Sequence, residues 1–283
     1  MKIFLNGNFI PLNKSKISPC DMGFLYGAGA FETLRSFDGY IPFIDRHYRR
    51  LKKTLKLLDI NFNLSYKDIK KIIYKLLKIN KLKNAYIRIT VSSGTDKNRP
   101  TIFILLKKID IILYKSYLNG VVLSISKYNR NYSILSNYKT LNYLENLLER
   151  RKANKQKYFD TIFLDITGKY ITECTSANIF VVKNNIVYTP EVKNFPVLGG
   201  ITREIVIEIL KKNKINIIEK KITKSEMFTA DEIFITNSLI GIVPVKRINK
   251  FFVSENIPGK ITEILINKYN YKIKTGGKKY AKL

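Results

Sequence analysis

The first eleven residues place the tightest limit on the fold. Lys2-Ile3-Phe4-Leu5 and Asn8-Phe9-Ile10-Pro11 are two short apolar-rich runs around Asn6-Gly7. Asn-Gly supplies the positive φ angles that a two-residue hairpin turn demands, so an antiparallel strand pair is predicted at the start of the chain. That pair excludes an all-helical fold and a purely parallel sheet. Asp38-Gly39, Thr167-Gly168-Lys169 and Asn184-Asn185 punctuate the sequence in the same way. They predict hairpins joining 31–37 to 40–44, 161–165 to 170–173, and 179–182 to 186–189.

Helical spacing fills the gaps between these runs. His47, Arg50, Leu51, Leu55 and Leu58 recur at intervals of three and four from Asp45 onward, and Ile69, Ile72, Ile73, Leu76 and Leu77 form one apolar stripe over 67–77; both predict helices whose stripe faces a core. Residues 85–91 alternate with period two, and 101–106 form a second strand after the loop 92–100. These elements make an α+β domain of roughly 110 residues. Residues 109–120 carry no readable pattern and act as a connection. The second half opens with a strand at 121–125 and a polar stretch over 129–137. A helix over 138–148 is expected to bury Leu141, Leu144, Leu147 and Leu148. A helix from Ile201, a strand at 232–236 that ends in the stretch 237–245, and a loose basic tail over 278–283 follow.

Composition narrows the function. The chain has 283 residues, 45% of them hydrophobic, and no uninterrupted apolar run approaching a membrane span. The N-terminus turns polar by Asn6, too soon for a secretory signal, so a cytoplasmic setting is expected. Cys20 and Cys174 lie far apart and are expected to be free thiols. His47 is the single histidine, which removes most metal-site and Ser-His-Asp readings, and no metal is expected. The formal charge of +29 raises nucleic-acid binding as a distant alternative. The lysines are spread along the chain without an interleaved aromatic platform, so a solvated basic surface with some attraction for anionic substrates is the expectation.

Several residues stand out chemically. Lys139 opens the 138–148 segment, where an ammonium beside the positive end of a helix dipole is disfavoured and the amine gains nucleophilic character. Taken alone, it reads better as one more solvated lysine of a lysine-rich chain. Glu173 ends a strand among apolar neighbours and precedes Cys174-Thr175-Ser176-Ala177-Asn178, so it should have a partner. Gly200-Ile201-Thr202 opens a helix, a natural anion site, and Ser238 offers a hydroxyl at a strand end. Arg50 is either a snorkelling surface residue or an inward anion ligand. The glycine-spaced loop 23–30 reads as a tight backbone passage and lacks the helix start and Lys-Ser/Thr of a P-loop. A nucleophilic lysine, a buried acid and an anion site are what a pyridoxal phosphate enzyme requires.

Seven segments carry a resemblance: FLYGAGAFETLR (24–35), RHYRRL (46–51), AYIRITVSSG (85–94), YKTLNYLENLL (138–148), ITECTSANIFVV (171–182), LGGITREIV (198–206) and FITNSLIGIVPV (234–245). In this order they resemble the fold-type-IV pyridoxal-phosphate enzymes, the class-IV aminotransferases and their relatives, over about the whole chain. The resemblance implies a two-domain α+β fold. A small N-terminal domain (1–112) and a connection (113–120) would precede a larger C-terminal cofactor domain (121–283) with a β-barrel-like sheet. By the resemblance, Lys139 is the Schiff-base lysine, Glu173 pairs with the pyridine nitrogen, and Tyr143 approaches the cofactor's phenolic oxygen. Arg50, the backbone of Gly200 and Ile201, Thr202, and Ser238 with Asn237 beside it, hold the phosphate. Tyr26, Phe31, Thr33, Arg88 and Arg99 are the substrate candidates, and the resemblance implies a homodimer whose second subunit can contribute to the substrate pocket.

Departures from the family pattern sort the branches. Thr33 stands where branched-chain aminotransferases carry glycine, and Thr140-Leu141 where they carry two glycines. Arg99 is followed by Pro100-Thr101, not by the Arg-x-His loop of D-amino-acid aminotransferases. FETLR, KTLNYL, TECTSANIF and TNSLIGIVPV together are most similar to aminodeoxychorismate lyase, which makes 4-aminobenzoate for folate synthesis. A branched-chain or D-amino-acid aminotransferase is the alternative.

Overall fold

A computed structural model describes residues 1–96, 98–110 and 115–280, the side chains of 278–280 apart. The chain divides into two compact units: 1–110 with 139–142 and 273–283, and 111–138 with 143–272.

The first unit is built on a five-stranded antiparallel sheet in the order β2-β1-β5-β4-β3. Its strands are β1 (Lys2–Leu5), β2 (Asn8–Pro11), β3 (Gly29–Arg35), β4 (Ala85–Ser92) and β5 (Thr101–Lys108). The opening hairpin forms as predicted, with Asn6 at φ 45° and Gly7 at φ 92°. Helices α2 (Ile44–Leu57) and α3 (Tyr66–Ile79) cover one face of the sheet. Leu51, Leu55, Ile69, Ile73 and Leu76 meet Ala85, Ile87, Ile89, Ile104 and Leu106 there. Each of these side chains is at most 1% exposed, and truncating a buried leucine of this kind costs about 2–5 kcal/mol. Ser65 and Asp68 form a capping box that starts α3.

Two expectations in this unit fail. Residues 40–44 do not form a strand: only a Phe37–Tyr40 bridge remains of the hairpin, and α2 begins at Ile44. Pro42 lacks the donor a ladder needs, and Phe43 at φ 55° turns the chain into the helix. The glycine-spaced loop also contains a short helix, α1 (Met22–Tyr26), capped by Asp21 and closed by Gly27 in the left-handed region.

The second unit carries a ten-stranded mixed sheet, curled as a half-barrel. Its order is β11-β10-β9-β13-β14-β6-β7-β8-β12, with β15 (Phe251–Phe252) on β14. The strands are β6 (Val121–Arg130), β7 (Asp160–Asp165), β8 (Tyr170–Cys174), β9 (Asn178–Lys183), β10 (Ile186–Thr189), β11 (Ile217–Glu219), β12 (Ile222–Thr223), β13 (Glu232–Asn237) and β14 (Gly241–Ile248). Pairing is parallel at β14–β6, β6–β7 and β10–β11. Helices α4 (Leu144–Lys155), α5 (Ile201–Lys212) and α6 (Lys224–Phe228) belong to this unit. A last helix, α7 (Lys260–Tyr280), was not foreseen, and its backbone runs through the first residues of the supposed loose tail. Positions 111–114 of the connection, Lys97 of the 92–100 loop, and 281–283 lie outside the described residues. No described helix is long and apolar enough to cross a membrane.

The largest correction concerns the 138–148 segment. The helix starts only at Leu144, and Leu144, Leu147 and Leu148 are 66%, 47% and 47% exposed. The inward positions are Glu149 and Ala153. Leucine spacing fixes a common face but not its direction, and here the inward face is polar because its neighbours are buried charges.

Candidate active site

In the first unit, Lys139 does not stand at a helix mouth. Residues 139–141 run beside β3 as a short extra edge: Phe31 N donates to Lys139 O at 3.0 Å, Leu141 N to Gly29 O at 2.9 Å, and Ala30 bridges Thr140. A Cβ on Gly29 would lie 2.5 Å from Val91 O and 2.7 Å from Leu141 Cδ1, so the close approach requires glycine. The ladder sets Lys139 Nζ 4.4 Å from the centroid of the Phe31 ring. Arg88 lies 3.9 Å from the same centroid and donates from Nε to Thr90 Oγ1 at 3.1 Å. Thr33 faces Arg88 in the β3–β4 register. Phe31, Thr33, Arg88 and Lys139 are therefore brought together on the sheet face opposite the helices. Tyr26 is 69% exposed on α1, and Arg99 is exposed with its side chain 3.8 Å from Asp96; neither joins this cluster.

Behind that face, Glu32 is fully buried on the helix side of β3. Its Oε1 accepts from Arg50 Nε at 2.7 Å and its Oε2 from Arg50 Nη2 at 2.8 Å. His47 Nδ1 lies 2.7 Å from Oε2. Burial alone would raise the carboxyl, but Arg50 and His47 hold it down to about 2. Burial also lowers His47, against the opposing pull of Glu32, so the imidazole is neutral and donates from Nδ1. Arg50 is thus an inward residue, as one of its two readings required, and its orientation is fixed by a forked pair.

In the second unit, Glu173 has the partner its setting demanded. Oε1 accepts from Arg130 Nη1 at 2.9 Å, and Oε2 from Asn178 Nδ2 at 3.2 Å and Leu198 N at 3.1 Å. Arg130 also donates to Asn146 Oδ1 at 3.0 Å and lies 3.9 Å from the Phe163 ring centroid. Sequence reasoning missed Arg130 because β6 runs five residues further than predicted, through what read as a polar loop. The usable signal was a lone arginine in that stretch, in the same half as an acid that needed a cation. Asp160 is a second buried acid, paired with Arg150 at 2.8 Å and accepting from Thr175 and Ser176. It orders the turn after Glu173, whose Thr175 carbonyl accepts from Tyr143 Oη and from Asn146, both at 2.7 Å. Burial, with Glu173 and Asp160 nearby, pushes the Tyr143 phenol well up, so it acts as a donor.

The residues of the predicted anion site also lie in this unit. Gly200 is the N-cap of α5 and no side chain caps the helix, so the amides at Ile201 and Thr202 meet no capping side chain. A Cβ on Gly200 would fall 2.0 Å from Asn178 Oδ1, which reserves the position for bare backbone. Asn237 spends its side chain on backbone: Nδ2 donates to Ser176 O, while Oδ1 accepts from Leu239 and Ile240. Its part is to hold the turn carrying Ser238. One residue earlier, Thr236 Oγ1 is buried without a hydrogen-bond partner. An uncapped helix start and an orphaned hydroxyl can donate to a phosphate, and a buried carboxylate can accept from a protonated ring nitrogen, a combination that suits a phosphorylated pyridine.

The class-IV amino-transferase family model matches residues 29–248. The chain belongs to that family. A putative branched-chain-amino-acid aminotransferase of Methanocaldococcus jannaschii is 33% identical over 277 residues, 95% of each chain. The aminodeoxychorismate lyase of Bacillus subtilis is 31% identical over 258 residues, 88% of this chain and 87% of that one. Among solved structures, a putative 4-amino-4-deoxychorismate lyase of Legionella pneumophila superposes with a TM-score of 0.83 at 27% identity, covering 91% of this chain and 96% of the other. The architecture is that of the fold-type-IV enzymes, and pyridoxal 5'-phosphate is the cofactor that goes with this membership.

Proposed function

We propose that this class-IV enzyme is an aminodeoxychorismate lyase, releasing pyruvate from 4-amino-4-deoxychorismate to leave 4-aminobenzoate. The observation that carries the choice is the Phe31 face. Two cations, Arg88 and Lys139, flank one aromatic ring, and Thr33 in register with Arg88 adds a side chain that a glycine would not. A cyclohexadiene ring bearing one carboxylate, with a second on its enolpyruvyl arm, matches an apolar aromatic surface with the Arg88 cation beside it. The 31% identity to the Bacillus subtilis lyase supports the same reading.

Bound here, the cofactor would supply an electron sink for the carbon that bears the amino group. Lys139 Nζ would carry the cofactor at rest, and once displaced would take the proton from that carbon. Departure of the enolpyruvyl group as pyruvate makes the ring aromatic, which drives the elimination. Glu173 would face the ring nitrogen, Tyr143 would donate at the phenolic oxygen, and Arg50, Ile201, Thr202 and Ser238 would hold the phosphate. Arg88 would bind a substrate carboxylate.

A class-IV aminotransferase is the second reading, favoured by the 33% identity to the putative branched-chain enzyme. In that case Lys139 would return the proton to the cofactor side instead of assisting an elimination. The discriminating assay offers the purified protein aminodeoxychorismate and, separately, branched-chain and D-amino acids with 2-oxoglutarate. Formation of 4-aminobenzoate is expected; turnover of amino acids alone would replace the lyase with the transaminase. Absence of a visible cofactor band in wild type, or a band unchanged in Lys139→Ala, would sink both.

A homodimer belongs to the same proposal. The outward leucines of α4 form an apolar stripe at spacing i, i+3, i+4, an arrangement that suits a helix face covered by another chain. Sedimentation of wild type against Leu147→Lys tests it, with a dimer expected only for wild type.

A further inference from the structure

We propose that Arg130 is a positioning residue that fixes Glu173 and shares its charge, so that a bound pyridine ring meets a compensated carboxylate. The inference rests on the cofactor reading above and names a residue that the family resemblance did not supply. Arg130 and Glu173 are each 9% exposed, and the guanidinium is held on three sides. Nη1 is on Glu173, Nη2 on Asn146, and the ring of Phe163 packs against its carbon. A planar cation locked in this way cannot swing off the carboxylate, and Asn178 and Leu198 N hold the other oxygen. Glu173 is therefore anchored at both oxygens before any ligand arrives, which is what a fixed electrostatic partner requires.

The arrangement is duplicated nearby. Asp160 pairs with Arg150, and Arg150 lies 5.1 Å from the Phe159 ring centroid. Glu145 lies 3.7 Å from Arg130 Nε, and the Tyr143 phenol feels Glu173 and Asp160 on one side and Arg130 on the other. The charged groups around the carboxylate are thus Arg130, Arg150, Asp160 and Glu145, with Tyr143 as the neutral neighbour. Glu173 and Asp160 each have their own arginine. A buried carboxylate without a compensating cation would draw a proton onto the ring more strongly than this pair does. Arg130 therefore tunes how deep an electron sink the ring becomes.

The test is a pH titration of the bound cofactor's visible band, beside the melting of the apoprotein. Removing a nearby cation favours protonated forms of the cofactor. Arg130→Gln should therefore move the titration midpoint up by about one unit. Arg130→Lys keeps the charge and should leave the midpoint within about 0.3 unit, while weakening cofactor binding severalfold through loss of the planar fork. A purely structural role predicts lower melting temperatures with the midpoint unmoved in both variants, and that result would overturn the proposal. If Arg130→Gln does not fold, Arg130→Lys decides: a midpoint displaced by a full unit overturns it. A wild type with no visible band defeats the cofactor reading itself and this inference with it, whereas a normal wild-type band with an unmoved Arg130→Gln midpoint defeats this inference alone.

Discussion

Two buried carboxylates, Glu32 on Arg50 in the first unit and Glu173 on Arg130 in the second, are held in different ways. Glu32 is 0% exposed and takes both Arg50 nitrogens together with His47, all three bonds coming from charged or ionisable side chains on α2. Glu173 is 9% exposed and takes one arginine nitrogen, one amide side chain and one backbone amide, from β6, β9 and the loop before α5. A helix docked onto a sheet through a forked ion pair depends on that pair for its own position. A carboxylate held by three separate elements is a fixed point in a frame that other contacts already maintain. Glu32 belongs to the folding of its unit, and Glu173 to the chemistry of the other.

The largest expected effect tests the first half of that contrast. Glu32→Ala strips the part-buried Arg50 and the buried His47 of their shared, fully buried partner, and breaking a buried pair from one side costs about 3–5 kcal/mol. Urea denaturation should show a loss of that size. A loss under about 1 kcal/mol would mean that Arg50 finds another anion and that the pair does not anchor α2.

Glu173→Gln should cost less in stability, about 1–3 kcal/mol, because Asn178, Leu198 N and Asn146 still frame the site. Its effect should instead appear in turnover, lowered at least about a hundredfold, since a neutral amide cannot hold the ring nitrogen protonated. Equal stability losses for Glu32→Ala and Glu173→Gln, with turnover intact in the second, would erase the distinction between the two pairs.

The pairs should also separate by pH. Glu32 titrates near 4.5 when unfolded and at about 2 when folded, so its contribution is complete above pH about 4.5 and is lost as pH falls from there toward 2. His47 is lowered from 6.5, so the unfolded chain takes up that proton first and stability begins to fall as pH drops below about 6.5. Denaturation curves from pH about 8 down to about 3 should show both steps in wild type. Only the upper step should remain in Glu32→Ala, because burial, the largest cause of the His47 shift, persists without Glu32.

How far the sequence foretold this contrast depends on which interactions are local. The Asn6-Gly7 hairpin, the α3 stripe and the alternation of 85–91 were legible because turn chemistry and periodicity act within a few residues. Glu173 was legible as an acid in want of a cation, yet Arg130, 43 residues away, was not, because the bulged end of β6 reads as loop. The direction in which Leu144, Leu147 and Leu148 face was equally hidden. Their spacing is helical whichever way the helix turns, and only the buried charges of Asp160, Glu173 and Arg130 explain why the polar face of α4 points inward. Lys139 was singled out for the wrong local reason: its setting comes from the β3 ladder and the side-chain-free approach at Gly29, not from a helix dipole.

The smallest stability effect supplies the control for both buried pairs. Arg99 and Asp96 are the same chemistry on the surface, with side chains 85% and 51% exposed and 3.8 Å apart. Solvent screening and side-chain entropy leave such a pair almost nothing, so Arg99→Ala should change stability by less than about 0.5 kcal/mol. The same substitution bears on substrate binding, because Arg99 was a candidate carboxylate ligand that does not join the Phe31 face within one chain. If a second copy or substrate recruits it, Arg99→Ala should raise KM severalfold with kcat and stability unchanged, and the increase should shrink as salt is added. An unchanged KM at low salt would confine substrate recognition to Arg88 and Lys139. Arg99 would then be one more of the solvated cations that give this chain its charge.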